Sequence, residues 1–282
     1  MDFLSALSPL AGVKIVNLGL NAPGPVAAAR LAKLGAKITK VEPPLGDPMN
    51  MAAPLWYGEL CAGQTVLRLD LKSKEGRNEL DDLLAKADLL LASFRPAALA
   101  RLGLDWDPLH LLYPRLSFVG IIGYPHPQEE RTGHDLTYQA GLGLLSPPQL
   151  PSTLFVDLAG AERAVSSSLA LLLRLSRTGE SGCAWVSLYE CACELAAPLQ
   201  AGLTAPGGVL GGDSSFYSLY RTRDGWIAVA ALEPHFARKL VSELKLPSGD
   251  RSELEQAFRN RSSAVWEEWA NERGLPLAAV HL

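Results

Sequence analysis

The stretch Arg131 to Gln139 reads RTGHDLTYQ, setting His134 beside Asp135 where a polar loop gives way to the apolar run AGLGLL. Histidine is the side chain whose ordinary pKa lies nearest neutrality, so His134 is a candidate for moving a proton; alone, it reads first as a satisfied loop histidine. Two carboxylates carry the same double reading. Asp157 stands where VDLAG opens a helical pattern, and an aspartate there is a plain N-cap. Glu233 stands just before Pro234 at the start of EPHFARKL, where a negative charge suits the helix dipole. Lys72 and Arg101, taken singly, are solvated surface charges. Cys61, Cys183, Cys191 and Cys193 lack the paired spacing of a metal site or a disulfide framework, so they are expected reduced and buried, with no metal. The loop VNLGLNAPGPVAAAR has Gly19 and Gly24 but neither the three-glycine dinucleotide pattern nor a Gly-Lys-Ser/Thr phosphate loop, which argues against NAD and ATP. Gly24 there tightens a turn, and Pro25 suits a first helical turn.

The elements that must position these residues alternate. VKIVNLG, AKITKVE, TVLRLDL, DLLLASF and RLSFVGI are short β-branched or apolar runs, separated by helical stretches such as PVAAARLAKLG and SKEGRNELDDLLAKA. Strands separated by helices argue for an α/β domain, a Rossmann-like, mostly parallel sheet with helices on its faces. Ligands bind such sheets beyond the carboxyl ends of the strands, here the loops 19–25, 42–47 and 93–96. After Asp157 a long helix is expected to end at Gly179, followed by the strand CAWVSLY. The texture changes near residue 205. The segment TAPGGVLGGDSS leads into SFYSLYRTRDGWIAVAAL, two alternating strands around Asp224-Gly225, a hairpin signal. The expected division is a large α/β domain over 1–205 and a small α+β domain over 206–282.

Composition narrows the function classes. Lys and Arg total 26 against 30 Asp and Glu in 282 residues, with no basic block, so neither nucleic acid nor an anionic membrane surface is an expected partner. The N-terminus lacks the basic start of a signal peptide, and the apolar run SLALLLRLS is too short to span a bilayer. A cytoplasmic protein is expected.

Ordered blocks then resemble a known family: LAGVKIVNLG, PGPVAAARLAKLGAKITKVEPPLGDP, LDLKSKEGRNEL, ADLLLASFRPAALARLGLDWDPL, YPRLSFVGIIGY, GHDLTYQA and DLAG. Together they resemble the class III CoA-transferase family, whose members include formyl-CoA transferase and α-methylacyl-CoA racemase. The resemblance implies a coenzyme A thioester as substrate, no prosthetic group, and Lys72, Phe94, Arg95 and Arg101 around the CoA nucleotide. The racemase branch is the more similar. Its GHD…Y motif falls on Gly133, His134, Asp135 and Tyr138, its aspartate on Asp157 and its glutamate on Glu233. What this implies is transfer of the proton α to a thioester carbonyl, with His134 and Asp157 as bases on opposite faces. Each such proton transfer is typically worth ~10²–10⁴-fold. Glu233 would orient His134, and N–H groups opening the helix after Asp157 would hold the enolate oxygen. In the transferase branch the same aspartate resembles a nucleophile that takes the acyl group.

Departures from the pattern keep two alternatives open. Gly160 is followed by Ala161, Glu162 and Arg163 where the racemase pattern continues with glycines, which would put bulk and charge beside the oxyanion site. Pro44 replaces a residue that is basic in some transferases. The family's subunits interlock as rings, and its chains continue past the block matching LAAVHL to complete the large domain. An intertwined homodimer is therefore the expected assembly, with its closed ring in question. The alternatives are a CoA-transferase acting through Asp157 and a non-catalytic relative that binds CoA or a partner subunit.

Overall fold

A computed structural model describes residues 7–281 of the chain. Two units divide it, Met1–Leu195 and Ala196–Leu282. The first carries strands β1 (Lys14–Asn17), β2 (Lys37–Glu42), β3 (Thr65–Arg68), β4 (Leu89–Ala92), β5 (Ser117–Ile122) and β6 (Cys183–Ser187). Its helices are α1 (Pro23–Lys33), α2 (Pro48–Ala52), α3 (Pro54–Cys61), α4 (Lys74–Leu84), α5 (Pro96–Arg101), α6 (Trp106–Leu112), α7 (Asp135–Gly141) and α8 (Phe155–Thr178), with α9 (Leu188–Gln200) crossing the boundary between units.

All six strands pair in parallel, in the order β3-β2-β1-β4-β5-β6. The α/β expectation holds, and the chain reverses its direction of winding between β1 and β4. Strands buried on both faces have no polar side to spend, so β4 (LLLA) and β5 (SFVGII) are buried at every position. Alternate residues feed opposite cores. Ile15, Ile38, Leu89, Leu91, Val119 and Ile121 pack with Leu31 of α1 and Val156, Ala161 and Ala164 of α8. Val16, Val41, Leu90 and Phe118 pack on the other face with Leu80 and Leu84 of α4.

Local chemistry sets the helix ends. Ser73 caps α4, its Oγ accepting from Gly76 N at 3.0 Å. Gly179, at φ 74°, closes α8 in the left-handed conformation, as expected. Gly24 does more than tighten a turn: a Cβ on it would stand 2.6 Å from the Cα of Gly19, so the loop after β1 lies directly on the first turn of α1. Of the cysteines only Cys191 is buried; Cys61, Cys183 and Cys193 are partly exposed, and all four are free thiols. Burial of all four, expected from sequence, does not hold: Cys183 is on the edge strand β6, Cys193 on the half-covered α9, and Cys61 ends α3, a helix with no buried residue.

In the second unit β7 (Tyr217–Arg221) and β8 (Trp226–Ala230) form the expected hairpin, and β9 (Leu277–Ala279) adds antiparallel to β8. Helices α10 (Pro234–Leu244), α11 (Arg251–Phe258) and α12 (Ser263–Glu272) close its core around Tyr220, Ile227, Phe258 and Trp266. The indole N–H of Trp266 donates to Phe258 O at 2.7 Å, so the largest core ring leaves no unpaired donor.

Candidate active site

Where the winding reverses, the loops after β1 and β4 part and a crevice opens. The two loops are tied, Leu20 N donating to Ser93 Oγ at 3.0 Å. A cavity of about 320 Å³ lies there, lined by Asn21, Ser93, Phe94, Arg95, Arg131, His134, Tyr138 and Asp157 among others, all in the first unit. Two of the three expected catalytic residues, the two bases His134 and Asp157, thus share one cavity.

Their placement is local. His134 is the N-cap residue of α7, its N–H bonded to Thr137 Oγ1 at 2.9 Å, with its side chain exposed. Asp157 is not the N-cap expected from sequence: Leu154 takes that position, and Asp157 lies in the first turn of α8. The cap is supplied from a distance by Asp135. This buried carboxylate accepts from Val156 N at 2.7 Å and Asp157 N at 3.1 Å, and from the side-chain amide of Gln139. Asp135 thereby pins the start of α8 to α7 and fixes Asp157 relative to His134. It also corrects the expected source of an oxyanion donor. The N–H groups of Val156 and Asp157 point at Asp135, and Leu158 N donates to Leu154 O, so these three first-turn donors are engaged.

Burial first, and the negative charge of Asp135 second, push the Asp157 carboxyl up from 3.8 to about 6. Tyr138, 1 % exposed, forms the adjoining wall, and burial pushes its hydroxyl up to about 12. It fits because Gly123 has no side chain: a Cβ there would stand 2.6 Å from the tyrosine Oη.

A second feature escaped the sequence reading. Lys40, Glu42 and Asp47 have fully buried side chains. Lys40 Nζ lies 2.5 Å from Asp47 Oδ2 and 3.4 Å from Glu42 Oε1, and donates to Gly19 O at 3.3 Å. Asp47 Oδ1 accepts from Asn21 N at 3.1 Å, and Tyr57 donates to Glu42 at 2.6 Å. Burial, and then that bond to Glu42, push the Tyr57 hydroxyl up. The network holds the Gly19–Asn21 loop against the loop after β2. Strand parity was the available signal: Lys40 shares the face of Ile38, which is 2 % exposed.

Next to this, a second cavity of about 450 Å³ is lined by Leu18, Leu20, Pro43, Pro44, Leu69, Lys72, Phe94 and Leu102 among others. The first cavity opens at two of the loops expected to take ligands, 19–25 and 93–96, and the second at all three; Phe94 and Leu20 line both. Arg95 lines the first, Lys72 the second, while Arg101 ends α5 as an exposed residue lining neither. Glu233 belongs to the second unit, where it is the N-cap residue of α10. The bulk and charge expected beside the site are absent from the cavity wall. Ala161, one turn on from Asp157 and on its face, is in the core, while the helical period turns Glu162 away to Arg30 and Arg163 to Glu194.

An open parallel sheet with a carboxylate and a histidine at its switch point defines an α/β protein with a crevice for a small molecule. The profile of CoA-transferase family III matches residues 10–281, and the chain belongs to that family. It is 31% identical over 261 residues to alpha-methylacyl-CoA racemase of Homo sapiens, covering 86% of this chain and 66% of that protein. It is 29% identical over 199 residues to succinyl-CoA–D-citramalate CoA-transferase of Chloroflexus aurantiacus, covering 64% of this chain and 50% of that protein. The chain thus spans less than two thirds of the length of both relatives. A crystal structure of a hypothetical protein from Mycobacterium tuberculosis superposes with a TM-score of 0.85 at 26% identity, covering 97% of this chain and 86% of that one. Among the described residues no helix is long and apolar enough to cross a membrane.

Proposed function

We propose that the protein is an acyl-CoA enzyme that moves the proton α to the thioester carbonyl of 2-methylacyl-CoA, racemising that carbon. What supports this is one shared cavity lined by His134 and Asp157, on separate helices, with the Asp157 carboxyl pushed up to about 6. Inverting a carbon needs one base on each face. A carboxylate with a pKa near the working pH returns a proton as readily as it takes one, which an ordinary aspartate does not. Glu233 is the third titratable residue of the assignment. Lys72, Phe94, Arg95 and Arg101 are assigned to the CoA moiety, whose charged oxygens suit Lys and Arg. The assignment includes an intertwined homodimer in the cytoplasm, with no prosthetic group.

Mass spectrometry of 2-methylacyl-CoA esters in D₂O tests the proposal. Uptake of one deuteron that disappears in Asp157→Asn and falls in Glu233→Gln is the expected outcome, and the rate should decline as pH drops through about 6, where Asp157 takes up its proton. No uptake across several acyl chains would overturn it. A second reading is favoured by the likeness to a CoA-transferase: Asp157 attacks the thioester as a nucleophile. Then His134→Ala weakens activity while Asp157→Ala abolishes it, and CoA passes to an added carboxylic acid without deuterium uptake.

A further inference from the structure

Arg95 and His134 already have assigned tasks in the first cavity; Arg131, which lines the same cavity, has none. Its guanidinium lies over the ring of Tyr124, 4.2 Å from the centroid. That ring is a rigid platform. Tyr124 is 4 % exposed, meets Tyr138 edge-on and packs against Tyr189. The only polar side-chain contact drawn from Arg131, among the described residues, is a long one, Nη1 to Gln128 Oε1 at 3.4 Å. The two acids that precede it in sequence are turned elsewhere. Glu129 meets His126 at 3.1 Å, and Glu130 accepts from Ala97 N at 2.9 Å at the start of α5. Among the described residues Arg131 forms no ion pair.

A guanidinium stacked by its face still presents its N–H edge, which matches the two oxygens of a carboxylate. Stacking fixes that edge before any ligand arrives, so little side-chain freedom is lost on binding. An aliphatic acyl chain would offer it no acceptor. Arg131 lines the cavity holding His134 and Asp157, the reacting end of the proposed site; Arg95, assigned to the CoA moiety, lines it too, so a CoA phosphate is the competing partner and would show as equal weakening of every thioester when Arg131 is removed. We propose that Arg131 receives a substrate carboxylate at the reacting end of the site, carried either by the acyl group of the thioester or by a free acid that accepts CoA. This rests on the acyl-CoA assignment above and narrows its substrates to those with an anion beside the reacting carbon.

Two thioesters with one skeleton test the first source: 2-methylpentanoyl-CoA, and 2-methylglutaryl-CoA esterified at the carboxyl next to the methyl-bearing carbon. Calorimetry on the Asp157→Asn protein measures binding without turnover. The carboxylate-bearing thioester should bind about 10- to 100-fold tighter, the range for a charge-assisted pair. Adding Arg131→Met should erase the difference, and Arg131→Lys should keep part of it. For the second source, glutarate is titrated into the same protein saturated with CoA; Arg131-dependent binding there, with the two thioesters bound alike, assigns the carboxylate to an acceptor acid. Equal weakening of both thioesters by Arg131→Met, absence of any Arg131-dependent preference in both arms, or no binding at all overturns the proposal. Circular dichroism melts confirm that each variant is folded. Because binding is read without chemistry, lack of deuterium uptake in the unmodified protein would sink the racemase assignment alone, while indifference to the carboxylate would sink this inference alone.

Discussion

Asp157→Asn should make the protein more stable at neutral pH while removing its chemistry. The Asp157 carboxyl holds its proton more tightly in the folded chain than in the unfolded one, its pKa rising from 3.8 to about 6, first through burial and then through Asp135. A raised pKa means that the folded state gains from the protonated form. That contribution is complete below the unfolded value of 3.8 and is lost as pH climbs through about 6, so at pH 7.5 the charged aspartate is a liability. Roughly two pKa units at about 1.4 kcal/mol each set a ceiling near 3 kcal/mol. Asp157 is half-buried and partly solvated, which trims this to about 1–2 kcal/mol. Asparagine keeps the shape without the charge and should recover most of it. For a unit of this size the gain is roughly 3–6 °C in Tm. Thermal unfolding of both proteins at about pH 7.5 and about pH 3 reads it. The variant should melt higher at the upper pH, and the two curves should nearly coincide at the lower one, below the unfolded value of 3.8. A variant that melts at or below the parent at pH 7.5, or gains equally at both pH values, would refute the desolvated-carboxylate argument.

Two further substitutions probe the supports of the site. Asp135→Ala withdraws the acceptor shared by Val156 N and Asp157 N and should cost about 2 kcal/mol in urea unfolding. The same change removes the lesser cause of the raised Asp157 pKa, so the acid limb of the deuterium-uptake profile should move to lower pH; a limb that stays in place would show that Asp135 acts on the backbone alone. Lys40→Met leaves Glu42 and Asp47 buried together without their cation and should cost about 3–5 kcal/mol, read from the urea midpoint. A loss below about 1 kcal/mol would mean that the Gly19–Asn21 loop does not depend on that pair.

Runs of strand and helix residues determined by themselves that this chain builds an α/β unit followed by a smaller α+β unit, because the pleat and the helical turn leave periods of two and 3.6 that burial must respect. The order of blocks such as GHDLTYQA and DLAG pointed to the family, and the carboxyl ends of the strands marked the loops at which the two cavities open. The burial of Lys40 was legible in principle from its shared parity with Ile38, but parity could not show that Asp47 and Gly19 would arrive to meet it. Only the tertiary structure decided what each polar group faces. Asp135, beside His134 in sequence, spends its charge on the backbone of a helix that starts 20 residues later with Phe155, and so tunes Asp157 rather than substrate. Glu162 looked intrusive beside Asp157 and is turned away to Arg30, while Arg131, one more polar loop residue in sequence, is stacked on Tyr124 with its donors unclaimed by any carboxylate among the described residues. Local spacing sets which face of its own element a residue occupies; the partner on that face comes from a distant part of the chain, and hydrogen bonding, desolvation and pKa all follow from the partner.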